Sequence, residues 1–332
     1  MEIVRNFDLL ELQKQKFSRE DTVARKENGT WIKYSTKQFT DDNLSYGLLN
    51  LGLQKGDKVA IISMNRPEWN IADFACAQLG IITVPMYPTL SVNDYIFIMN
   101  DAEVKAVFVE NDEMALKVTT AQKSVPSLAH VFSFNKLNDL RNWEEVIEAG
   151  KNNPNPEKVK ELSASVNGTD LVTLIYTSGT TGVPKGVMLS HQNIISNVRS
   201  AAADVFVGEM SGAKALSFLP LCHIFERTIF YCYMYIGVSV YYAESMETIG
   251  DNLKEVQPDV FSTVPRLLEK VFDKIIAKGH ELTGIKKKLF FWAVDLGLKF
   301  ELHRKNGAWY HFQLGIADKL IFSKWREALG GN

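Results

Sequence analysis

Cysteine is scarce in this 332-residue chain: three residues, Cys76, Cys222 and Cys232, with no CxxC pair and no zinc-like spacing. An odd count argues against a disulfide framework, so a reducing cytosol is the expected location. No stretch of about 18 uninterrupted apolar residues occurs, and no membrane span is expected. The opening stretch MEIVRNFDLLELQKQKF is amphipathic without an apolar signal core, so no secretory leader is expected. A surplus of one charge sign is missing too. With 37 basic and 39 acidic residues the net charge is −2, and nucleic acid is not an expected partner. Internal repeats and low-complexity tracts are absent. What remains, 46% apolar and 23% charged residues, is ordinary for a globular protein with room for two domain-sized units.

Apolar runs alternate with helical stretches. Thr30–Ser35, Lys58–Ser63, Ile81–Pro85, Lys105–Val109 and His130–Phe134 read as strands. Asp8–Phe17, Thr36–Leu51, Arg66–Leu79 and Asn93–Asn100 read as helices. Asn135–Asp170 is polar, with Asn152-Asn153-Pro154-Asn155-Pro156 near its middle, and reads as a surface connection. Beyond it, Gln192–Ala203 is a helix capped near Ser190. Ala215–Leu219, Gly237–Tyr242 and Asp259–Val264 are strands, and Ser245–Val256 and Pro265–Gly279 are helices. The alternation predicts an α/β fold: two similar doubly wound, largely parallel sheets with flanking helices. The expected subdomains are residues 1–168, with a helical lead-in, and 169–332.

The chain's chemistry concentrates in Leu171–His191, LVTLIYTSGTTGVPKGVMLSH. Two apolar runs enclose hydroxyls and glycines, which reads as strand–loop–strand. Gly179 and Gly182 let backbone N–H groups approach an anion. Thr177, Ser178, Thr180 and Thr181 can donate to phosphate oxygens, and Lys185 adds a point positive charge. Lys185 lies between Pro184 and Gly186, so this is not a Walker A loop, and it is not GxGxxG. Composition alone favours a polar hairpin turn. The order of the residues overrides that reading.

YTSGTTGVPKGVMLSH closely resembles the signature loop of the AMP-forming acyl-adenylate synthetases. GLQKGDKVAI (Gly52–Ile61), NRPEW (Asn65–Trp69) and GIITVPMYPT (Gly80–Thr89) resemble the long-chain acyl-CoA synthetase branch in wording. The resemblance implies that Thr177, Ser178, Gly179, Thr180, Thr181, Gly182 and Lys185 hold the phosphates of ATP, with Thr177 as a magnesium ligand.

Leu219–Arg227, LPLCHIFER, follows a strand end, where α/β proteins place ligands. A lone histidine between apolar neighbours is more often packed in a core than catalytic. This segment is similar to a second motif of the same family, which implies a place for His223 beside the acyl carboxylate and adenylate. Its Phe225-Glu226-Arg227 continuation resembles the long-chain branch. Tyr231, Tyr233, Met234, Tyr235 and Val238 either line an acyl tunnel or pack in a core. Lys55-Gly56-Asp57 and Tyr46-Gly47 look like scraps of later family motifs, but precede the loop and receive no ligand role.

Residues 281–329 are helical and rich in lysine and aromatics, including Phe290, Trp292, Phe300, Trp309, Phe312 and Trp325. Such helices dock on membrane surfaces or pack against a sheet with solvated lysines, and packing is the commoner case. They also offer a homodimer interface. The family's later motifs, an aromatic-Gly-x-Thr-Glu, a Thr-Gly-Asp and the C-terminal domain with its lysine, are missing. The expectation is therefore the N-terminal part of a long-chain fatty acid–CoA ligase, inactive alone. The complete enzyme would use ATP, magnesium, coenzyme A and a fatty acid. Another carboxylate adenylator, or a non-catalytic nucleotide- or lipid-binding protein, is the alternative.

Overall fold

Continuous apolar runs such as Val59–Ile62 belong in a strand covered on both faces, and these four residues are wholly buried. The computed structural model describes residues 2–177, 184–205 and 209–331. Its strands are β1 (Val23–Glu27), β2 (Thr30–Tyr34), β3 (Lys58–Ile62), β4 (Ile82–Pro85), β5 (Val104–Val109), β6 (His130–Ser133), β7 (Leu171–Thr177), β8 (Lys185–Ser190), β9 (Lys214–Ser217) and β10 (Ser239–Tyr242).

They form two mixed sheets. The larger has the order β6-β5-β3-β4-β7-β8, parallel throughout except for β8, which runs antiparallel to β7. The smaller has the order β2-β1-β10-β9, with only β2 antiparallel. The expected pair of largely parallel, helix-flanked sheets is thus formed. Side chains of β3, β4 and β5 meet Tyr95, Met99 and Val118 of the helices Val92–Asp101 and Asp112–Gln122 in one apolar cluster. Both sheets cross residue 168: β7 and β8 complete the larger, and β1 and β2 complete the smaller. The compact units divide instead at Ala243/Glu244.

Several elements depart from the sequence reading for identifiable reasons. Strand β1 is set by the two-residue turn Asn28-Gly29, where both residues have positive φ, as an Asn-Gly hairpin requires. Thr36–Leu51 is not one helix but two, Thr36–Phe39 and Asn43–Asn50. The carboxylate of Asp41 accepts the Asn43 N–H at 2.7 Å across the break. The supposed surface connection holds the helices Trp143–Asn152 and Pro156–Ser165. Asn142 starts the first with a capping box, while Asn155 and then Pro156 start the second. Polar caps at close intervals hid two short helices.

Gly47 and Gly150 explain how the first of these packs. A Cβ at Gly47 would lie 2.0 Å from the Val146 carbonyl oxygen, and one at Gly150 would lie 2.0 Å from that of Asn43. The facing glycines let the two helix backbones touch, so Gly47 has a packing role.

The second unit, from Glu244, is helical among its described residues: Ile249–Val256, Pro265–Glu281, Gly284–Leu298, Ala308–Ala317 and Ser323–Ala328. The expected strand Asp259–Val264 does not form; only Val260 takes part in a β-bridge. Within this unit the aromatics pack on one another. Trp292, Tyr310 and Phe322 surround Ala293, Leu296 and Ala317, and Trp325 lies 5.1 Å from Phe322, centroid to centroid. Trp309 and Phe312 are exposed. No helix among the described residues is long and apolar enough to cross a membrane.

Candidate active site

The strand–loop–strand reading of the signature stretch is met by β7 and β8, which pair antiparallel from Leu171/Ser190 to Thr177/Lys185. Thr177 and Lys185 are therefore cross-strand partners at the mouth of the hairpin, both exposed. Ser178, Gly179, Thr180, Thr181 and Gly182 lie outside the described residues.

The neck beneath the mouth is fixed from two sides. The Tyr176 hydroxyl donates to the Asp101 carboxylate at 2.5 Å, tying β7 to the helix Val92–Asp101. Burial and that carboxylate both push the Tyr176 phenol pKa up. Its ring covers Gly186 on the facing strand, where a Cβ would come within 3.1 Å of it. Tyr176 is thus a neutral post at neutral pH, and Gly186 admits it.

His223 is not packed in a core. It is exposed and stands at the N-cap of the helix Ile224–Ile236, where its Nδ1 accepts the Phe225 N–H at 3.1 Å. An accepting Nδ1 assigns the neutral ring's proton to Nε2. The segment before it is held by Asn65, which follows β3. The Asn65 amide donates to the Leu219 carbonyl at 2.7 Å and to the Ser217 hydroxyl at 3.1 Å, while its oxygen accepts the Leu221 N–H at 2.9 Å.

Glu226 and Arg227 are buried. The Ser217 hydroxyl donates to Glu226 at 2.6 Å. Burial lifts the Glu226 pKa to about 7, against the lowering effect of that hydrogen bond. Arg227 has no solvent exposure. It pairs with Asp73, donates to Thr173 of β7 at 2.7 Å and to Thr83 of β4 at 2.9 Å, and lies over the Trp69 ring. Tyr231 joins the same network through Asp73 and Asn6; Tyr233, Met234 and Val238 are buried and Tyr235 is half-buried. Burial raises the Cys222 thiol pKa to about 12, which keeps it protonated and not nucleophilic at neutral pH.

The fold brings Thr177 and Lys185 together directly. It joins His223 to the same sheet through Asn65 after β3 and through Arg227 to β4 and β7. Asn65, Asp73 and Thr173 carry no signal of this in the sequence, because each partner lies more than 50 residues away. Among the described residues no group of three His, Cys, Asp or Glu side chains could hold a metal. A groove of about 420 Å³ lined by Lys14, Thr36, Asp41 and Tyr46 includes none of the candidate residues.

Two mixed, helix-flanked sheets with this edge hairpin place the chain in the fold class of adenylate-forming enzymes. The inhibitor-bound N-terminal domain of FACL13 from Mycobacterium tuberculosis superposes with a TM-score of 0.63 at 20% identity, covering 80% of this chain and 64% of that one. The anthranilate CoA ligase AuaEII in complex with anthranoyl-AMP gives 0.67 at 19% identity, covering 77% and 49%. Residues 11–299 match the family described as AMP-binding enzyme, and the chain belongs to that family. It is 34% identical to the long-chain-fatty-acid–CoA ligase ACSBG2 of Xenopus laevis over 93% of this chain and 43% of that protein. It is 33% identical to the long-chain-fatty-acid–CoA ligase FadD15 of Mycobacterium bovis over 86% and 48%. The chain thus spans about half the length of these curated relatives.

Proposed function

We propose that this chain is the phosphate-binding part of an AMP-forming long-chain fatty acid–CoA ligase of the cytosol. The observation that carries the proposal is the Thr177–Lys185 pairing, which makes a hydroxyl-bearing and a lysine residue cross-strand partners at the mouth of the signature loop. In the proposed reaction a fatty carboxylate oxygen attacks the α-phosphorus of ATP, and pyrophosphate leaves. The thiol of coenzyme A then attacks the acyl carbonyl, and AMP leaves. Carboxylates are weak electrophiles, so the mixed anhydride supplies the leaving group; the protein's share is positioning and charge neutralisation.

Lys185 and the hydroxyls of Thr177, Ser178, Thr180 and Thr181 would neutralise and orient the β- and γ-phosphates, with the Gly179 and Gly182 backbones close to them. His223 would present Nε2–H to the acyl-adenylate. Magnesium, which offsets phosphate charge when bound, suits one hydroxyl ligand at Thr177, because the ion takes most of its oxygens from phosphates and water. The long acyl substrate rests on the names of the relatives. The anthranilate ligase of the same fold makes another carboxylic acid the competing reading.

Acid-stimulated exchange of labelled pyrophosphate into ATP by the complete enzyme, since this part alone is expected to be inactive, tests both. Exchange driven by fatty acids of twelve or more carbons and not by aromatic or short acids supports the proposal. Exchange driven only by another acid overturns the substrate. ATP binding with no acid-dependent exchange moves the chain to the non-catalytic reading. Peripheral membrane contact and a homodimer, both through the exposed Trp309 and Phe312 helix, belong to the same proposal; liposome flotation and sedimentation test them.

A further inference from the structure

His223 is held between two ties to the larger sheet. On its N-terminal side, the three hydrogen bonds of Asn65 fix Leu219, Leu221 and Ser217. On its C-terminal side, Arg227 reaches Thr83 of β4 and Thr173 of β7. The two ties differ in kind. Arg227 is locked in the interior with a buried ion partner, so it anchors the whole helix. Asn65 is only half-buried, and among the described residues its side chain grips the turn and the strand end that lead to His223.

All of the Asn65 amide's valences used here point to that turn. The amide nitrogen has two hydrogens, and they go to the Leu219 carbonyl and the Ser217 hydroxyl. The oxygen takes the Leu221 N–H. Ser217 passes the tie onward by donating to Glu226, on the first turn of the helix that His223 caps. The turn is therefore bound at both of its ends to one side chain of the loop that follows β3. His223, two residues past Leu221, follows it: the His223 N–H donates to the Pro220 carbonyl at 3.0 Å, inside the gripped segment.

We propose that Asn65 is a positioning residue for His223: its amide sets the Leu219–Leu221 turn so that His223 caps the helix through Nδ1 and turns Nε2 outward. The proposal rests on the reading that places His223 at the acyl-adenylate, and it accounts for the Asn that opens the NRPEW stretch. Asn65 touches neither substrate nor reacting atoms in this account. It acts through the turn.

The test follows His223 itself, by nuclear magnetic resonance of the 332-residue chain labelled at histidine nitrogens and backbone amides, with His223→Gln to assign its signals. In Asn65→Ala the Phe225 amide should lose protection against hydrogen exchange by at least tenfold, and the His223 ring nitrogens should move towards the values of an unconstrained histidine. The His191 signals and the β3 amides should stay as they were. Asn65→Asp, which keeps the acceptor for Leu221 but not the two donors, should do the same with the side-chain shape retained. Unchanged His223 and Phe225 signals in both variants overturn the proposal. So does a loss of protection spread through β3, which would make Asn65 a general stabilising residue.

Binding of a non-hydrolysable acyl-adenylate mimic separates this proposal from the reading beneath it. If Asn65 acts through His223, the Asn65→Ala/His223→Ala double variant binds no more weakly than His223→Ala alone. If His223→Ala leaves binding unchanged, the site reading fails, while the resonance result still decides what Asn65 does to His223.

Discussion

Arg227 and Asp73 form an ion pair in which neither side chain has any solvent exposure. They come from the helices Ile224–Ile236 and Pro67–Gln78. Burying two charges is costly, so such a pair survives only with its remaining donors satisfied. Here Thr83, Thr173 and Tyr231 do that. Arg227→Met would leave the Asp73 carboxylate buried without its cation and should lower unfolding free energy by about 3–5 kcal/mol. Asp73→Leu added to Arg227→Met should restore part of the loss. Urea unfolding checks both; a single variant as stable as wild type would contradict the account.

The Glu226 carboxyl titrates near pH 7, above its ordinary 4.5, because burial disfavours its charge. A carboxyl with a raised folded pKa binds more protons folded than unfolded between those values, so stability falls as pH rises from 4.5 to 7. Glu226→Gln removes that slope. Relative to wild type the variant should gain on the order of 3 kcal/mol between pH 4.5 and pH 8. Parallel urea curves at the two pH values decide; an equal difference at both would contradict the burial argument.

His191 gives a slope of the opposite sign. Its pKa is lowered from 6.5 to about 4, first by burial and then by Arg5, against the pull of Asp170 and Asp8. Its Nδ1 accepts the Asn6 N–H at 3.3 Å, which needs the neutral ring. The unfolded chain takes the proton first, so stability is full above pH 6.5 and is lost as pH falls towards 4. His191→Gln should flatten this acid limb in a pH series of melting temperatures, and an unaltered limb would count against it.

Gly150→Val should separate the helices Asn43–Asn50 and Trp143–Asn152, since a Cβ there overlaps a backbone carbonyl that has no rotamer to change. Overpacking of this kind costs about 1–3 kcal/mol. Amide exchange should accelerate in both helices together. Acceleration confined to the second would mean that the first does not depend on the contact.

Local rules made much of this fold legible. Ser190 caps its helix with Asn193, where the sequence placed the cap. The strands β3 to β6 were readable because each is a buried apolar run with a helix on either side. Strand β1 was not, since VARKE holds three charged residues and only its first two are buried; the Asn28-Gly29 turn was the available signal. Which sheet a strand joins is a long-range matter, and nothing in TWIKY says that its partner β1 lies beside β10. At the site, the strand–loop–strand hairpin followed from residue order. The exposure of His223 did not, because flanking apolar residues suggested a core, whereas its capping role depends on the turn that Asn65 holds.

The central claim is that the β7–β8 hairpin holds nucleotide phosphates, with Lys185 opposite Thr177 as its charge. The most direct test is calorimetric titration of the chain with ATP and magnesium, beside Lys185→Ala. The account predicts saturable binding by wild type and at least tenfold weaker binding by the variant, as loss of a charge-assisted phosphate contact of roughly 1.5–3 kcal/mol implies. Equal affinities, or no binding by wild type, would contradict it.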